Sequence, residues 1–516
     1  MNKKRFILLL LCFCLILPVM VSCKDDDDDD RDHDFIYDYD DSSREKAMDS
    51  VPEGYDLKGQ TVGIFYADHV GETVIGREDM EGERHLVYSK IYERNAIVED
   101  RLNVDLEFIP SQTAYWADVT TVLKNYFQTA DGSIEVVMST ANTIVATNLV
   151  NYFWSVNDSY YIDLEEDWWY EDAIMETSVD GQEMRVLYGD INIGAYGNAG
   201  TIYYNKDLYE QYLAGGKGRD YLYQLVLEGK WTLDYYYQLT KKSHIELGED
   251  GIQDDIMGFV LKRAGEPLHY LPIACGVEYY TRDPDTGMPT ITLMNGINQS
   301  KALDIFDQLN KLVHQNPGHD GSLLGKMGAE LEYPKSFEKN DYVFHMGTLL
   351  DAMSDDMREM QSDYGMLPYP KYDAEQTEYI SFMNSGTTLV GIPRTVTEDR
   401  MIEEVSAVVE CLASESYRYV SVAFFETALK GVYSRDDMDS QMIDIIMAQH
   451  ETIPSKLTKN FLYEYADCLK GVGTIFMRLI VYGNGNTTMK SNYDEIIDAE
   501  KVKIQQLYQN YKEGVV

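Results

Sequence analysis

The chain has 516 residues and a formal net charge of −44, with 44 Lys/Arg against 88 Asp/Glu. That imbalance excludes nucleic-acid binding through backbone phosphates, which demands clustered Lys and Arg, and also excludes membrane association driven by attraction to anionic lipid. The length exceeds what one hydrophobic core fills, and the 44% apolar content is ample for two lobes of roughly 150–250 residues.

Lys3, Lys4 and Arg5 precede an apolar run from Phe6 to Val21, and the run ends in Met20-Val21-Ser22-Cys23. A basic start, an apolar core and small residues ahead of a cut predict a secretory signal over residues 1–22. The run is nearly long enough to span a bilayer, but no basic flank follows to stop transfer. The setting of Cys23 resembles a lipobox, in which that cysteine is acylated and becomes the mature N-terminus; Met20 stands where Leu is usual. From Lys24 to Asp56 fifteen Asp/Glu face four Lys/Arg, with six consecutive acids at Asp25–Asp30. Such a run repels itself and buries nothing, so residues 23–56 are predicted as an acidic flexible tether. Calcium chelation by the aspartates is the sharper alternative to a plain solvated spacer. Beyond Cys23 there remain Cys275, Cys411 and Cys468, an odd number without C-x-x-C spacing, which reads as small apolar residues and not as a disulfide framework or a zinc site.

Leu57–Tyr66 alternates around Val62, Ile64 and Tyr66 and predicts a strand. The Gly- and acid-rich loop from Ala67 to Arg84 then sits at its carboxyl edge, where ligands bind in open α/β sheets, which makes Asp68 a candidate contact. Glu83–Leu102 reads as a helix whose apolar face is Val87, Ile91, Ala96, Ile97 and Val98. Val104–Ile109 and Ile134–Ser139 are further strands, the latter running into the candidates Ser139, Thr140 and Asn142. Strands and helices alternating over short connections predict a parallel sheet.

Thr201-Ile-Tyr-Tyr204 is a β-branched and aromatic run that favours a strand, and Asn205 can cap the helix beginning near Lys206. After the break at Gly215-Gly216, Thr232 in Lys230-Trp-Thr-Leu-Asp234 is a natural N-cap for the next helix. A strand into Y-N-K-D-L, a break, then W-T with a helix resembles the extracellular solute-binding proteins of ABC importers, in their sugar-type family (family 1). Tyr92-Glu-Arg-Asn95 with Val98–Leu102, Trp168-Trp169-Tyr170 with Tyr188–Ile191, Phe337–Gly347 and Gly365–Tyr372 carry the same resemblance, which spans roughly Leu57 to Val516.

Within that resemblance the paired tryptophans have two readings: Trp169 as an indole platform under a sugar's C–H face, or both indoles burying a surface helix. Trp231 resembles a residue that packs the lobe. His244–Gly258 loosely follows a calcium loop, but Met257 stands where the twelfth-position Glu is required, so the EF-hand pattern fails. The loop Gly265–Thr281, with Glu266, His269, Tyr270 and Tyr280, follows a strand-like Gly258–Leu261 and would present contacts from the second lobe. Ile297–His314 is a helix by its Leu303, Phe306, Leu309 and Val313 spacing. Phe337–Gly347 should be a short strand ending in a Gly-containing turn, which makes His345 and Gly347 candidates. Ser385–Ile392 crosses back to the first lobe, Ile402–Ser414 is a long helix there, and a C-terminal helix from Tyr493 to Tyr511 closes the second lobe. His314 and His319-Asp320 read as ordinary polar residues around a Pro-Gly turn. No His-Glu-x-x-His, Gly-x-Ser-x-Gly, P-loop or dinucleotide fingerprint is present.

The resemblance implies an α/β, two-lobed periplasmic-binding-protein fold of the class II type, each lobe an open, mainly parallel sheet flanked by helices, joined by a hinge. Residues 57–198 and 384–440 would form lobe 1, and 199–383 and 441–516 lobe 2. It implies a monomeric lipoprotein, acylated at Cys23 on the outer face of the cytoplasmic membrane, that closes on a carbohydrate (an oligosaccharide) and docks on ABC permease subunits, with no cofactor, metal or catalysis. The expected ligand contacts are Asp68, Ser139, Thr140, Asn142 and Trp169 from lobe 1, and Glu266, Tyr270, His345 and Gly347 from lobe 2. A module feeding a sensor system, and a secreted carbohydrate-active enzyme such as a lyase, are the alternatives. The 41 tyrosines suit a cleft that stacks on a ring and hydrogen-bonds its hydroxyls.

Overall fold

A computed structural model of the chain describes residues 44–78, 83–113, 115–129, 132–144, 149–247, 255–261, 267–326, 335–382, 386–425, 429, 437–452, 471–483 and 488–513. Its strands are β1 (Gln60–Tyr66), β2 (Val104–Pro110), β3 (Val136–Thr140), β4 (Gly200–Asn205), β5 (Phe259–Val260), β6 (Tyr280–Arg282), β7 (Pro289–Ile291), β8 (His319–Asp320), β9 (Phe344–Thr348), β10 (Tyr364–Pro368) and β11 (Thr388–Gly391). Helices used below are α1 (Glu83–Leu102), α2 (Glu171–Thr177), α3 (Pro267–Ala274), α4 (Gly296–His314), α5 (Ser406–Glu415), α6 (Asp437–Thr452) and α7 (Met489–Glu513).

The first lobe is built on the sheet β11-β3-β1-β2, in which β1 pairs parallel with both β2 and β3 and β11 closes the edge antiparallel to β3. Val62, Ile64 and Phe65 are buried, as a strand covered on both faces requires. Helix α1 spans the predicted residues and buries Val87, Ile91, Val98 and Leu102. The rest of its buried stripe differs from expectation: Ala96 and Ile97 are exposed, and Arg94 and Asn95 are buried instead. The Arg94 guanidinium donates to the carbonyls of Ile191 at 2.8 Å and Val74 at 3.0 Å and to Ser416 Oγ at 3.0 Å. Burial pushes its pKa down to about 10, still charged at neutral pH.

The second lobe carries the sheet β10-β4-β9, and here the expectation of a mainly parallel sheet is corrected: both pairings are antiparallel. β9 and β10 run the same way on either side of β4, joined by the crossover that such a pair needs, while β4 runs against both. The local signals hold. Asn205 accepts the Leu208 N–H at 2.9 Å, and Thr232 caps helix Leu233–Thr240 through the Tyr235 N–H at 3.3 Å. Trp231 is fully buried with its indole N–H on the Pro368 carbonyl at 2.8 Å. Helix α6 packs on β10, and α7, the expected C-terminal helix, closes the lobe against β7 and α4. Cys275 and Cys411 are buried free thiols; Cys468 lies outside the described residues.

Residues 44–56, expected as the end of the flexible tether, are docked on the first lobe. Arg101 clamps the Asp49 carboxylate with bonds of 2.6 and 2.7 Å, and Ser414 Oγ donates to it at 2.7 Å. Arg44 lies 3.7 Å above the Tyr417 ring and 3.7 Å from Asp190. Both residues found specific partners that charge composition could not show. Among the described residues no helix is long and apolar enough to cross a membrane.

Candidate ligand site

Residues 192–200 lead from the elements packed on the first sheet into β4, and Phe382 and Thr387 stand before and after the return toward β11. On the first-lobe side, the parallel register sets Tyr66 of β1 opposite Met138 of β3, so Asp68 and Thr140 sit level at the carboxyl ends of their strands. Asp68 is exposed, and its Oδ1 accepts the Ser111 hydroxyl at 3.1 Å and the Gln112 N–H at 2.9 Å, which ties the end of β1 to the end of β2. Burial, with the Asp68 carboxylate adding to it, raises the Tyr66 phenol above its ordinary pKa and keeps it a protonated donor.

Ser139 and Thr140 are buried, Ser139 without a hydrogen-bond partner for its hydroxyl. The Thr140 hydroxyl donates to the Asn142 side-chain oxygen and lies 3.1 Å from Thr143 Oγ1, so these residues position the half-buried Asn142. The return strand completes this side: the Thr387 carbonyl accepts the Ala141 N–H at 2.8 Å, and the Thr387 hydroxyl donates to the Gly194 carbonyl at 2.7 Å. Asn192 holds Thr73 from the loop after β1 at 3.0 Å.

On the second-lobe side, His345 and Gly347 share one face of the edge strand β9. The imidazole is flanked by the rings of Tyr203 at 5.8 Å and Phe337 at 5.9 Å, and its Nε2 lies 2.8 Å from Asp351 Oδ2. Asp351 also accepts the Thr348 N–H at 3.3 Å. Gly347 leaves room for this pair, since a Cβ there would overlap the Asp351 carboxylate. Tyr270 on α3 stacks on Phe382 with ring centres 4.4 Å apart, and Phe382 in turn covers Gly200, where a Cβ would strike its ring. Gly200 pairs with Thr348, and Leu350 fills the space beside Gly197. Tyr270 thus reaches Gly200 through Phe382, Gly347 and His345 stand opposite Thr201 and Tyr203 just beyond it, and Ala141, beside Thr140 and Asn142, reaches Gly194 through Thr387.

Trp169 is placed elsewhere. It is 4% exposed, its indole N–H donates to Glu410 at 2.8 Å, and neither of its faces is free to stack on a sugar. Glu266 lies outside the described residues. Sequence reasoning missed Asp351, Phe382 and Thr387. Of these, Asp351 had a legible signal, since Thr348-Leu-Leu-Asp351 is the Thr-x-x-acid pattern of a helix start.

Neither a protein-family model nor a curated protein matches the sequence. Solved structures do. A maltose/maltodextrin-binding domain from Bdellovibrio bacteriovorus, bound to maltotriose, is similar at 15% identity and a TM-score of 0.51, over 87% of this chain and 100% of that one. An ABC transporter associated binding protein from B. animalis subsp. lactis Bl-04, in complex with β-1,6-galactobiose, is similar at 12% identity and 0.52, over 86% and 98%. An ABC transporter solute-binding protein from Agrobacterium radiobacter K84, in complex with ribitol, is similar at 12% identity and 0.50, over 87% and 100%. The chain has the two-lobed periplasmic-binding-protein fold.

Proposed function

We propose that this protein is an extracytoplasmic solute-binding protein that captures a carbohydrate, an oligosaccharide, between its lobes and delivers it to an ABC importer. The observation that carries the reading is the pair of polar strand ends, Thr140–Asn142 beside Ala141, which Thr387 ties to Gly194, and His345 with Asp351 on the strand that pairs with β4. Similar structures of this fold hold maltotriose, β-1,6-galactobiose and ribitol. Amide and carboxylate oxygens together with aromatic rings suit a ligand rich in hydroxyls. The ligand would favour the closed form by touching both lobes at once, and the closed form would dock on the permease. In this reading residues 1–22 are removed as a signal, Cys23 carries the lipid that holds the protein at the outer face of the membrane, and Glu266 joins the second-lobe contacts. The protein works as a monomer and binds without turnover.

Thermal melting of the mature protein against maltotriose, galactobiose and ribitol, with peptides and polyamines as controls, tests the reading. A ligand at 100 times its dissociation constant adds about 2.7 kcal/mol, a rise of several degrees. A shift with sugars that leaves them chemically intact supports capture. A shift with peptides or amines alone overturns the ligand class.

A further inference from the structure

Among the described residues the two lobes also touch away from the passage at 192–200. On the first-lobe side stands helix α2 with the turn that follows it, tied to its own lobe by the Val156 N–H on the Met184 carbonyl at 2.8 Å and by the bridge of Leu187 to Val390 on β11. On the second-lobe side stand the β6–β7 hairpin and the end of α7.

Arg282 at the end of β6 reaches across and donates to the carbonyls of Met175 at 3.2 Å, Val179 at 3.0 Å and Ser178. These carbonyls gather at and just past the end of α2, where the helix dipole is negative, and that of Met175 also accepts the Ser178 N–H at 3.2 Å. The hairpin comes close enough that Gly287, at φ +72°, has no room for a Cβ against the Asp180 carbonyl. Asp180 divides its carboxylate between the lobes. Its Oδ1 accepts the Ser178 hydroxyl and the N–H groups of Gln182 and Glu183 within its own turn, and its Oδ2 takes Lys512 of α7 at 2.6 Å. One turn of α7 adds Tyr511, whose hydroxyl donates to the Glu183 carbonyl at 2.7 Å and whose ring lies 3.8 Å beneath the Arg185 guanidinium. Asp180, Arg185 and Tyr511 are all buried by the contact.

We propose that Arg282, Lys512 and Tyr511 form an interlobe latch against residues 175–185, and that rotation of one lobe past the other requires its release. The latch is made of side chains, apart from the passage at 192–200, so water can replace each bond without strain on the chain. It therefore sets how often the unlatched arrangement is populated, and through that population the apparent affinity of whatever the protein binds.

The test needs no ligand and stands apart from the carbohydrate reading. Spin-labelled noncanonical residues at positions 122 and 227, exposed on the first and second lobes respectively, report the interlobe distance in the full-length protein by pulsed electron resonance. The unsubstituted protein should give one narrow distance. K512A and R282A should each broaden the distribution and add a second maximum, and R282K, which keeps the charge but loses the fork, should fall between. K512A removes one half-exposed side chain and keeps the test sound if R282A folds poorly. A distribution in K512A and R282K that superimposes on that of the unsubstituted protein overturns the proposal.

Discussion

Trp169 donates its indole N–H to Glu410 at 2.8 Å, and Trp168 donates to the other oxygen of the same carboxylate at 3.0 Å. Two adjacent tryptophans thus share one buried acid on α5, and the pair fastens the 168–170 segment to the first lobe. Trp169→Ala should therefore lower stability by about 3–5 kcal/mol, the usual cost of emptying a buried aromatic site, while the dissociation constant for a bound sugar stays within about twofold. Urea unfolding alongside titration calorimetry separates the two quantities. A large loss of affinity at full stability would return Trp169 to the site.

Glu410 also gives the protein a dependence on pH. Burial, opposed by the two indole N–H groups, pushes its pKa up to about 8. A group whose folded pKa lies above its unfolded one contributes stability that is complete at low pH and is lost as pH rises from the ordinary glutamate range through 8. Asp49 has the opposite sign: burial pushes it up, but the Arg101 clamp and the Ser414 hydroxyl outweigh that and hold it low, so its contribution disappears as pH falls. Unfolding free energy should decline between about pH 5 and 8, and Glu410→Gln should flatten that decline, even though its amide faces an indole N–H and lowers stability overall. An unchanged slope in the variant would assign the decline to another group.

How far the chain could be read before its structure follows from the range of the interactions. Asn205 and Thr232 cap their helices through amides three residues on, so both were legible, while the period of α1 showed its span and only part of its buried face. The choice between the two readings of Trp169 was not legible because its partner lies 241 residues away. The tether was drawn too long for the same reason: Asp49 looks like one more acid in a charged run until Arg101 and Ser414 are brought to it. Strand direction in the second sheet depends on where the 349–363 crossover lands, which neither composition nor alternation records. Of the candidate site, the strand ends were foreseen and the residues that hold them in place were not.

The docked N-terminal segment predicts a specific loss. The Asp49 side chain is fully buried and Arg101 is largely so, which makes their two-bond pairing worth far more than a surface ion pair. Asp49→Ala leaves the Arg101 guanidinium without its partner and should cost about 3 kcal/mol in urea unfolding. Hydrogen exchange should then rise across 44–56 and along the facing side of α5. An Asp49→Ala protein as stable as its parent would mean that this segment contributes nothing to the folded lobe.

The turn after β9 offers the sharpest test of the site itself. Gly347 has ordinary backbone geometry, so alanine there brings no φ penalty; what it lacks is room, because the added methyl would overlap Asp351 Oδ2 and crowd His345 Nε2. The methyl must push the carboxylate off the imidazole, and both groups are partly exposed, so the fold loses little. The site loses more. A hydrogen-bonding pair held between two rings and a backbone N–H is already in place before a ligand arrives, and disordering it costs affinity through lost preorganisation as well as lost contact. Gly347→Ala should weaken sugar binding by about tenfold, the equivalent of one hydrogen bond, with a melting temperature close to that of the parent. Asp351→Asn should weaken it less, since the amide can still accept from His345. Unchanged affinity in both variants would take the β9 turn out of the ligand site and leave the second-lobe contacts to Tyr270.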